Sequence, residues 1–184
     1  MIGRLLRSRM VWIVLMLGAL SYWGGSWLES IGGPGALRAH YGFWGVALSL
    51  PLQIGAVIGI GGEELFAMAN GLAYGFWVGS FLTWVGWYVG SMVQFWMGRT
   101  ARNDVESTGI VDHMPSWLKR LPASHPAFII CSRWFVPGVG GHIATLVPGA
   151  AGVSLHRFCW CTAIGTGLPS LGWTYAGIFF ASGR

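Results

Sequence analysis

Four ionisable side chains lie inside otherwise apolar segments, and these residues are the best placed in the chain to do chemistry. Glu63 and Glu64 are the only charged residues between positions 43 and 98. Arg133 and His142 lie in a second apolar segment that proline and glycine interrupt. An ionisable group at bilayer depth costs about 2.5–3.5 kcal/mol on insertion scales, so such groups usually have a function. A carboxylate there can take and release a proton, and a guanidinium can bind an anion.

Composition indicates what surrounds these residues. The chain has 184 residues, of which 54% are hydrophobic and only 9% are charged, and its mean hydropathy is +0.58. Soluble domains carry nearer a quarter charged residues, so we expect an integral membrane protein. The net charge of +5 does not indicate nucleic-acid binding, because the basic residues lie beside apolar segments, where they set membrane topology. The three cysteines predict neither a disulfide framework nor a metal site.

Apolar runs and turn residues divide the single predicted membrane domain, residues 1–184, into segments. We predict a transmembrane helix at 10–28, a re-entrant hairpin at 43–75, a transmembrane helix at 76–98, a cytoplasmic polar loop at 99–125, a second re-entrant hairpin at 126–156 and a transmembrane helix at 158–181. A cleavable signal peptide is the alternative for the first segment. Glycines at four-residue spacing predict close helix contacts at Gly71, Gly75, Gly79, Gly86 and Gly90.

The distribution of positive charge decides how these segments cross the membrane. Basic residues precede the first segment and flank the loop 99–125, so we expect both regions, and the N-terminus, in the cytoplasm. The first helix supplies one crossing, and residues 43–98 must therefore supply an odd number. One hairpin plus one span satisfies this count, as do three short spans. The glycine break beside the two carboxylates favours the hairpin, because irregular backbone at bilayer depth must line a cavity or be buried in protein.

The second half of the chain repeats the plan of the first. Ile60-Gly61-Gly62-Glu63 and Val139-Gly140-Gly141-His142 share the order apolar, Gly, Gly, ionisable. Together with the topology, this repeated pattern indicates two units, each a hairpin followed by a span, that enter the membrane from opposite faces, as in the inverted repeats of transporters. The predicted fold is an all-α polytopic membrane protein with two re-entrant helical hairpins in an inverted repeat plus transmembrane helices.

Three stretches of the chain resemble a known family in their order and spacing. They are Gly62-Glu63-Glu64 followed by Gly71, the glycine-rich run that ends at Phe95-Trp96-Met97-Gly98-Arg99, and Ser132-Arg133-Trp134-Phe135-Val136-Pro137-Gly138 followed by Pro148-Gly149-Ala150-Ala151-Gly152. Over about residues 43–181 the chain resembles the DedA family, also called the VTT or SNARE-associated Golgi protein family. It departs from the family pattern at Gly140, which replaces a second arginine, and in one extra residue between Arg133 and Pro137.

The resemblance implies a membrane lipid transporter, like a flippase or scramblase, and in bacteria a location in the cytoplasmic membrane. Such a protein moves a phospholipid or polyprenyl-phosphate headgroup across the bilayer, with proton coupling in some members. The resemblance carries two roles to this chain: Arg133 binds the anionic headgroup, and Glu64 couples protonation to access. Glu63 and His142 are neighbours of these residues that could assist them.

Each of these roles has a structural alternative. Glu63 and Glu64 could be first-turn acids that stabilise a helix starting after Gly62. Arg133 could snorkel to the interface from a shallow helix end, and His142 could be a hydrogen-bonded polar residue between glycines. For the whole chain, the alternative function is a non-transporting membrane organiser or assembly partner, and a homo-oligomer is possible. No nucleophile–base pair or metal cluster in the sequence predicts an enzyme, and no cofactor is expected.

Overall fold

The regular structure of the described residues is helical. The computed structural model describes residues 44–59, 62–100, 122–135 and 140–182, with isolated positions at 23, 26, 30, 32, 39 and 42. The helices in these ranges are α1 Trp44–Ile58, α2 Glu63–Tyr74, α3 Phe76–Thr100, α4 Pro126–Phe135, α5 Gly140–Ala150 and α6 Leu155–Ser182. Within the described residues there is no strand, which confirms the all-α prediction. Most of the predicted helix 10–28 and of the predicted loop 99–125 lies outside them.

The two longest helices coincide with two of the predicted spans. α3 has 25 residues and α6 has 28. Judged on length and hydropathy together, however, none of the helices within the described ranges would cross a membrane. The helical part of the predicted fold is therefore confirmed, and the spans at 76–98 and 158–181 stay predictions.

Glycine sets the breaks between the short helices and α3. α1 ends at Ile58, and α2 begins directly after Gly62, whose φ of 93° lies in the left-handed region that favours glycine. The Gly62 carbonyl accepts from the N–H of Phe66 at 3.3 Å, which starts the hydrogen-bond ladder of α2. α2 ends at Tyr74, and its C-cap residue Gly75 has a φ of 78°. A side chain at Gly75 would meet nothing within 4 Å, so the prediction of a helix contact is wrong there, and this glycine serves the turn instead.

The described residues form two compact units. The first unit contains α1, α2, the part of α3 up to Gly90 and the part of α6 from Gly167. The second unit contains the part of α3 from Ser91, α4, α5 and the part of α6 up to Thr166. Each unit therefore combines one pair of short helices with one part of each long helix.

Helices in the first unit approach each other closely because α3 carries glycine at the contacts. A Cβ atom at Gly79 would lie 2.6 Å from the carbonyl oxygen of Asn70 in α2, and one at Gly90 would lie 2.7 Å from the side chain of Val57 in α1. Real Cβ contacts are essentially never this short, so these positions need glycine. The apolar core of this unit is small: Val57, Ala67 and Trp87.

The second unit has a larger apolar core. It contains Phe95, Phe128, Ile129, Ile143, Ala144, Val153, Phe158 and Cys161. The rings of Phe95 and Phe158 stack with their centroids 4.2 Å apart, which joins α3 to α6. A Cβ atom at Gly98 would clash with the Leu146 carbonyl, and one at Gly149 would clash with the Phe95 carbonyl. The backbones of α3 and α5 therefore meet directly, and this contact positions α5 on α3.

Beside these apolar cores, many polar side chains are buried and many large apolar side chains are exposed. Polar side chains are buried at Ser49, Gln53, Asn70, Ser80, Thr83, Ser91, Gln94, Ser132, Thr145, Thr162, Thr166, Ser170 and Thr174. Large apolar side chains of the long helices are exposed, among them Trp77, Phe81, Trp160, Leu168 and Phe179. Buried polar groups and exposed large apolar faces are the two deviations from the usual pattern that carry information about a protein's surroundings.

Candidate functional site

The four predicted site residues belong to different units. Glu63 and Glu64 form the first turn of α2 in the first unit, and both are half-buried. Arg133 lies in the last turn of α4 and His142 in the first turn of α5, both in the second unit and both half-buried. The structure thus brings Arg133 and His142 into one packed unit.

The two carboxylates lie where a helix favours negative charge. They are the first two residues of α2, and the N-cap residue Gly62 has no side chain to cap the helix. The positive end of the helix dipole stabilises an acidic side chain in the first turn by about 0.3–1 kcal/mol. The positions of Glu63 and Glu64 thus suit helix stabilisation, and a transport role for Glu64 stays a prediction from its apolar surroundings and the family pattern.

Arg133 is held by a hydroxyl group of α3. Its Nη2 donates to Oγ of the buried Ser91 at 2.7 Å. The next residue, Trp134, donates from Nε1 to the carbonyl oxygen of Gly165 in α6 at 2.8 Å. These two bonds attach the last turn of α4 to both long helices of the second unit. The guanidinium is therefore tied to α3 by a hydrogen bond, and the snorkelling alternative stays open.

His142 is held by Gln94, which lies one turn beyond Ser91 on α3. Nε2 of Gln94 lies 2.7 Å from Nδ1 of the imidazole, and Oε1 of Gln94 accepts from Oγ1 of Thr145 at 2.6 Å. Gln94 and Thr145 are both fully buried. Residues three apart lie on the same face of a helix. One face of α3 therefore holds the guanidinium from α4 and the imidazole from α5.

This arrangement suits an anion. The guanidinium is always charged and presents its N–H groups in a planar fork that matches carboxylate or phosphate oxygens. The imidazole of His142 lies within electrostatic reach of Arg133. We name Arg133, His142, Ser91, Gln94 and Thr145 the α3 anion site.

Sequence reasoning missed the residues that position this site. Ser91 and Gln94 had no role in the prediction, because their partners lie 42 and 48 residues away in the chain. The available signal was an amide side chain inside an apolar run, since Gln53 and Gln94 are the only glutamines in the sequence. Searched over the described residues alone, the chain offers no cluster of side chains that could hold a metal ion.

A second buried polar cluster lies in the first unit. Nδ2 of Asn70 donates to Oε1 of Gln53 at 2.9 Å and to Oγ1 of Thr83 at 3.2 Å. The three residues come from α2, α1 and α3, and all three are buried. The cluster therefore joins the three helices through hydrogen bonds. Its counterpart in the second unit is the chain of hydrogen bonds from Thr145 through Gln94 to His142.

The described residues form helices in two units, and each unit contains two short helices separated by a break in the chain. Compared with known families, residues 57–179 match the VTT domain, and the match includes all four predicted site residues. The chain therefore belongs to the VTT domain family, which is the DedA or SNARE-associated Golgi family, and the predicted resemblance is confirmed. Neither the curated proteins nor the solved structures gave a significant match.

Proposed function

We propose that this chain is a membrane lipid transporter that moves a phosphate-bearing headgroup across the bilayer, in the manner of a flippase or scramblase. Its family is membrane-associated and linked to lipid transport. The observation that carries the proposal is the α3 anion site, where Ser91 and Gln94 of one helix hold Arg133 and His142. A lipid phosphate needs such a polar, protein-lined site, because unpaired charge is costly at bilayer depth.

The outward faces of the long helices support a lipid environment. Trp77 and Phe81 of α3 are 77% and 61% exposed, and Trp160 and Leu168 of α6 are 63% and 59% exposed. Large apolar faces are rare on water-soluble monomers, whereas buried serine, threonine and amide side chains are typical of helices packed in a bilayer.

Arg133 and Glu64 have separate tasks in the proposed mechanism. Arg133 pairs with the phosphate oxygens through its planar fork while the headgroup is away from water. Glu64, assisted by Glu63, takes and releases a proton and so couples protonation to access. The basic segments of the chain favour an orientation with the N-terminus in the cytoplasm, and a bacterial cytoplasmic membrane is the proposed location.

A translocation assay tests this proposal. The full chain is reconstituted into phosphatidylcholine vesicles that contain fluorescent phosphatidylglycerol, and an impermeant quencher reports how fast the label changes leaflet. We expect Arg133→Ala to slow translocation roughly 10- to 150-fold, because hydrogen bonds to a charged group contribute about 1.5–3 kcal/mol. Glu64→Gln should also slow it, because the amide cannot exchange a proton.

The matched control is Arg157→Ala. Arg157 is an exposed arginine of α6 in the same unit, and it donates to the carbonyl oxygen of Ser124 at 3.3 Å. This variant should keep the wild-type rate. If Arg133→Ala and Arg157→Ala move lipid equally fast, the site assignment is wrong. If the wild-type chain moves lipid no faster than empty vesicles, the proposed function is wrong.

A further inference from the structure

We infer that His142 binds the lipid phosphate as a neutral hydrogen-bond donor through Nε2–H, and that Gln94 is the residue that positions it. The α3 anion site would then contain one charged donor, Arg133, and one uncharged donor. This inference rests on the proposed function, because it deepens the description of the same site.

The hydrogen-bond chain on α3 determines where the imidazole carries its proton. A carboxamide oxygen can only accept, and a carboxamide nitrogen can only donate. The Gln94 amide is oriented with Oε1 2.6 Å from the hydroxyl of Thr145 and Nε2 2.7 Å from Nδ1 of His142. Because Oε1 can only accept, the one hydroxyl proton of Thr145 goes to it and not to the carbonyl oxygens of Gly141 and His142, 2.9 and 3.1 Å away. With the amide in this orientation Nδ1 accepts, and the inferred imidazole is neutral with its proton on Nε2.

We assign the Nε2–H group of His142 to the ligand because Nδ1 is already used within the protein. Among the described residues, the side-chain hydrogen bond of His142 uses Nδ1, and none uses Nε2. The imidazole is half-buried, whereas Gln94 and Thr145 behind it are fully buried. The buried partners thus hold the ring at Nδ1, and the inference places the anionic oxygen at Nε2.

An uncharged donor suits a site that must release its ligand. A second cation would add attraction over the whole approach of the phosphate, because charge–charge energy falls slowly with distance in a poorly polar surrounding. A neutral N–H group adds a directional contact at close range instead. His142 would therefore contribute to recognition of the phosphate, and Arg133 would supply the charge.

Nitrogen NMR tests the tautomer directly. The full chain is prepared with ¹⁵N-labelled histidine in a neutral detergent, and His142→Asn identifies the His142 signals among those of the five histidines. We expect Nε2 to carry the proton and Nδ1 to be unprotonated. Gln94→Leu should allow both tautomers, because it removes the donor to Nδ1 without adding a charge. A proton on Nδ1 in the wild-type chain would overturn the inference, because Nε2 would then be an acceptor.

Calorimetric titration tests the contact with phosphate. The probes are dodecyl phosphate, which resembles a lipid headgroup, and inorganic phosphate. His142→Asn should weaken the binding of dodecyl phosphate roughly 10- to 100-fold, which is the effect of losing one hydrogen bond to a charged group. His142→Gln should restore most of the affinity, because its longer side chain carries an N–H group to about the position of Nε2. His156→Asn is the control, since His156 is exposed and its Nε2 accepts from Trp160.

The outcomes separate this inference from the proposed function. If Arg133→Ala abolishes binding of dodecyl phosphate and His142→Asn leaves it unchanged, the inference fails and the proposed function stands. If neither substitution weakens binding, both fail. If inorganic phosphate binds as tightly as dodecyl phosphate, the site takes free phosphate, and the assignment to a lipid headgroup is overturned.

Discussion

Replacing Gly79 with alanine should destabilise the first unit, because one methyl group would separate α2 from α3. The added Cβ would lie 2.6 Å from the carbonyl oxygen of Asn70 and 2.8 Å from its carbonyl carbon, where 3.4 Å is the lower limit of ordinary contact. Both neighbours are backbone atoms, so a helix must shift by several tenths of an ångström. That shift would also stretch the 3.2 Å bond from Asn70 to Thr83, one turn along α3. Overpacking of this kind costs about 1–3 kcal/mol.

The matched control for this prediction is Gly172→Ala. Gly172 lies within α6, and a Cβ atom there would meet nothing within 4 Å. Alanine favours a helix over glycine by up to about 1 kcal/mol at either position, so the difference between the variants isolates the contact with α2.

Thermal unfolding followed by tryptophan fluorescence in detergent measures this difference. One kcal/mol corresponds to about 2–4 °C for a chain of this size, so Tm of Gly79→Ala should lie about 2–12 °C below that of Gly172→Ala. Equal Tm values for the two variants would refute the close packing of α2 on α3.

Three further substitutions test other parts of the structure. Asn70→Leu removes the hydrogen bonds to Gln53 and Thr83, and it should lower the free energy of unfolding by about 1–3 kcal/mol in a thermal unfolding experiment. A double-mutant cycle with Gln53→Leu should show energetic coupling between Asn70 and Gln53. Gly62→Ala should lower the free energy of unfolding by about 1–2 kcal/mol, because the φ of Gly62, 93°, lies in the left-handed region. An unchanged Tm would contradict that geometry. Ser91→Ala should slow lipid translocation roughly 2- to 10-fold by loosening Arg133, and a wild-type rate would show that Ser91 does not position it.

The helical fold could be predicted from composition and from the breaks in the apolar runs. Few charges and many apolar residues leave helices as the natural solution in a membrane, because a helix satisfies its own backbone hydrogen bonds. Glycine before Glu63 indicated a helix start, and α2 begins there. Spacing alone could not separate a contact glycine from a turn glycine, and Gly75 was therefore misread as a contact, whereas Gly71 and Gly79 do lie at close contacts.

The candidate site could be predicted only as a set of ionisable residues. Burial of Arg133 and His142 in apolar sequence was sufficient to select them, because such residues are rare at bilayer depth. Their partners Ser91 and Gln94 come from another helix, and only the packed structure shows that this helix lies within hydrogen-bonding distance. Close contacts at Gly98 and Gly149 hold α5, with His142, against it. Uncharged polar side chains carry no comparable signal in a single sequence.

The central claim is that Arg133 serves a phosphate-bearing lipid in transit, and the measurement that tests it most directly is a ratio of two rates. Translocation of fluorescent phosphatidylglycerol is measured in vesicles that contain equal amounts of Arg157→Ala or of Arg133→Ala. Both variants lose one arginine from the second unit, so their net charge is the same. We predict that Arg157→Ala moves lipid at least tenfold faster, because it keeps the guanidinium held by Ser91. Equal rates in the two preparations would contradict the account.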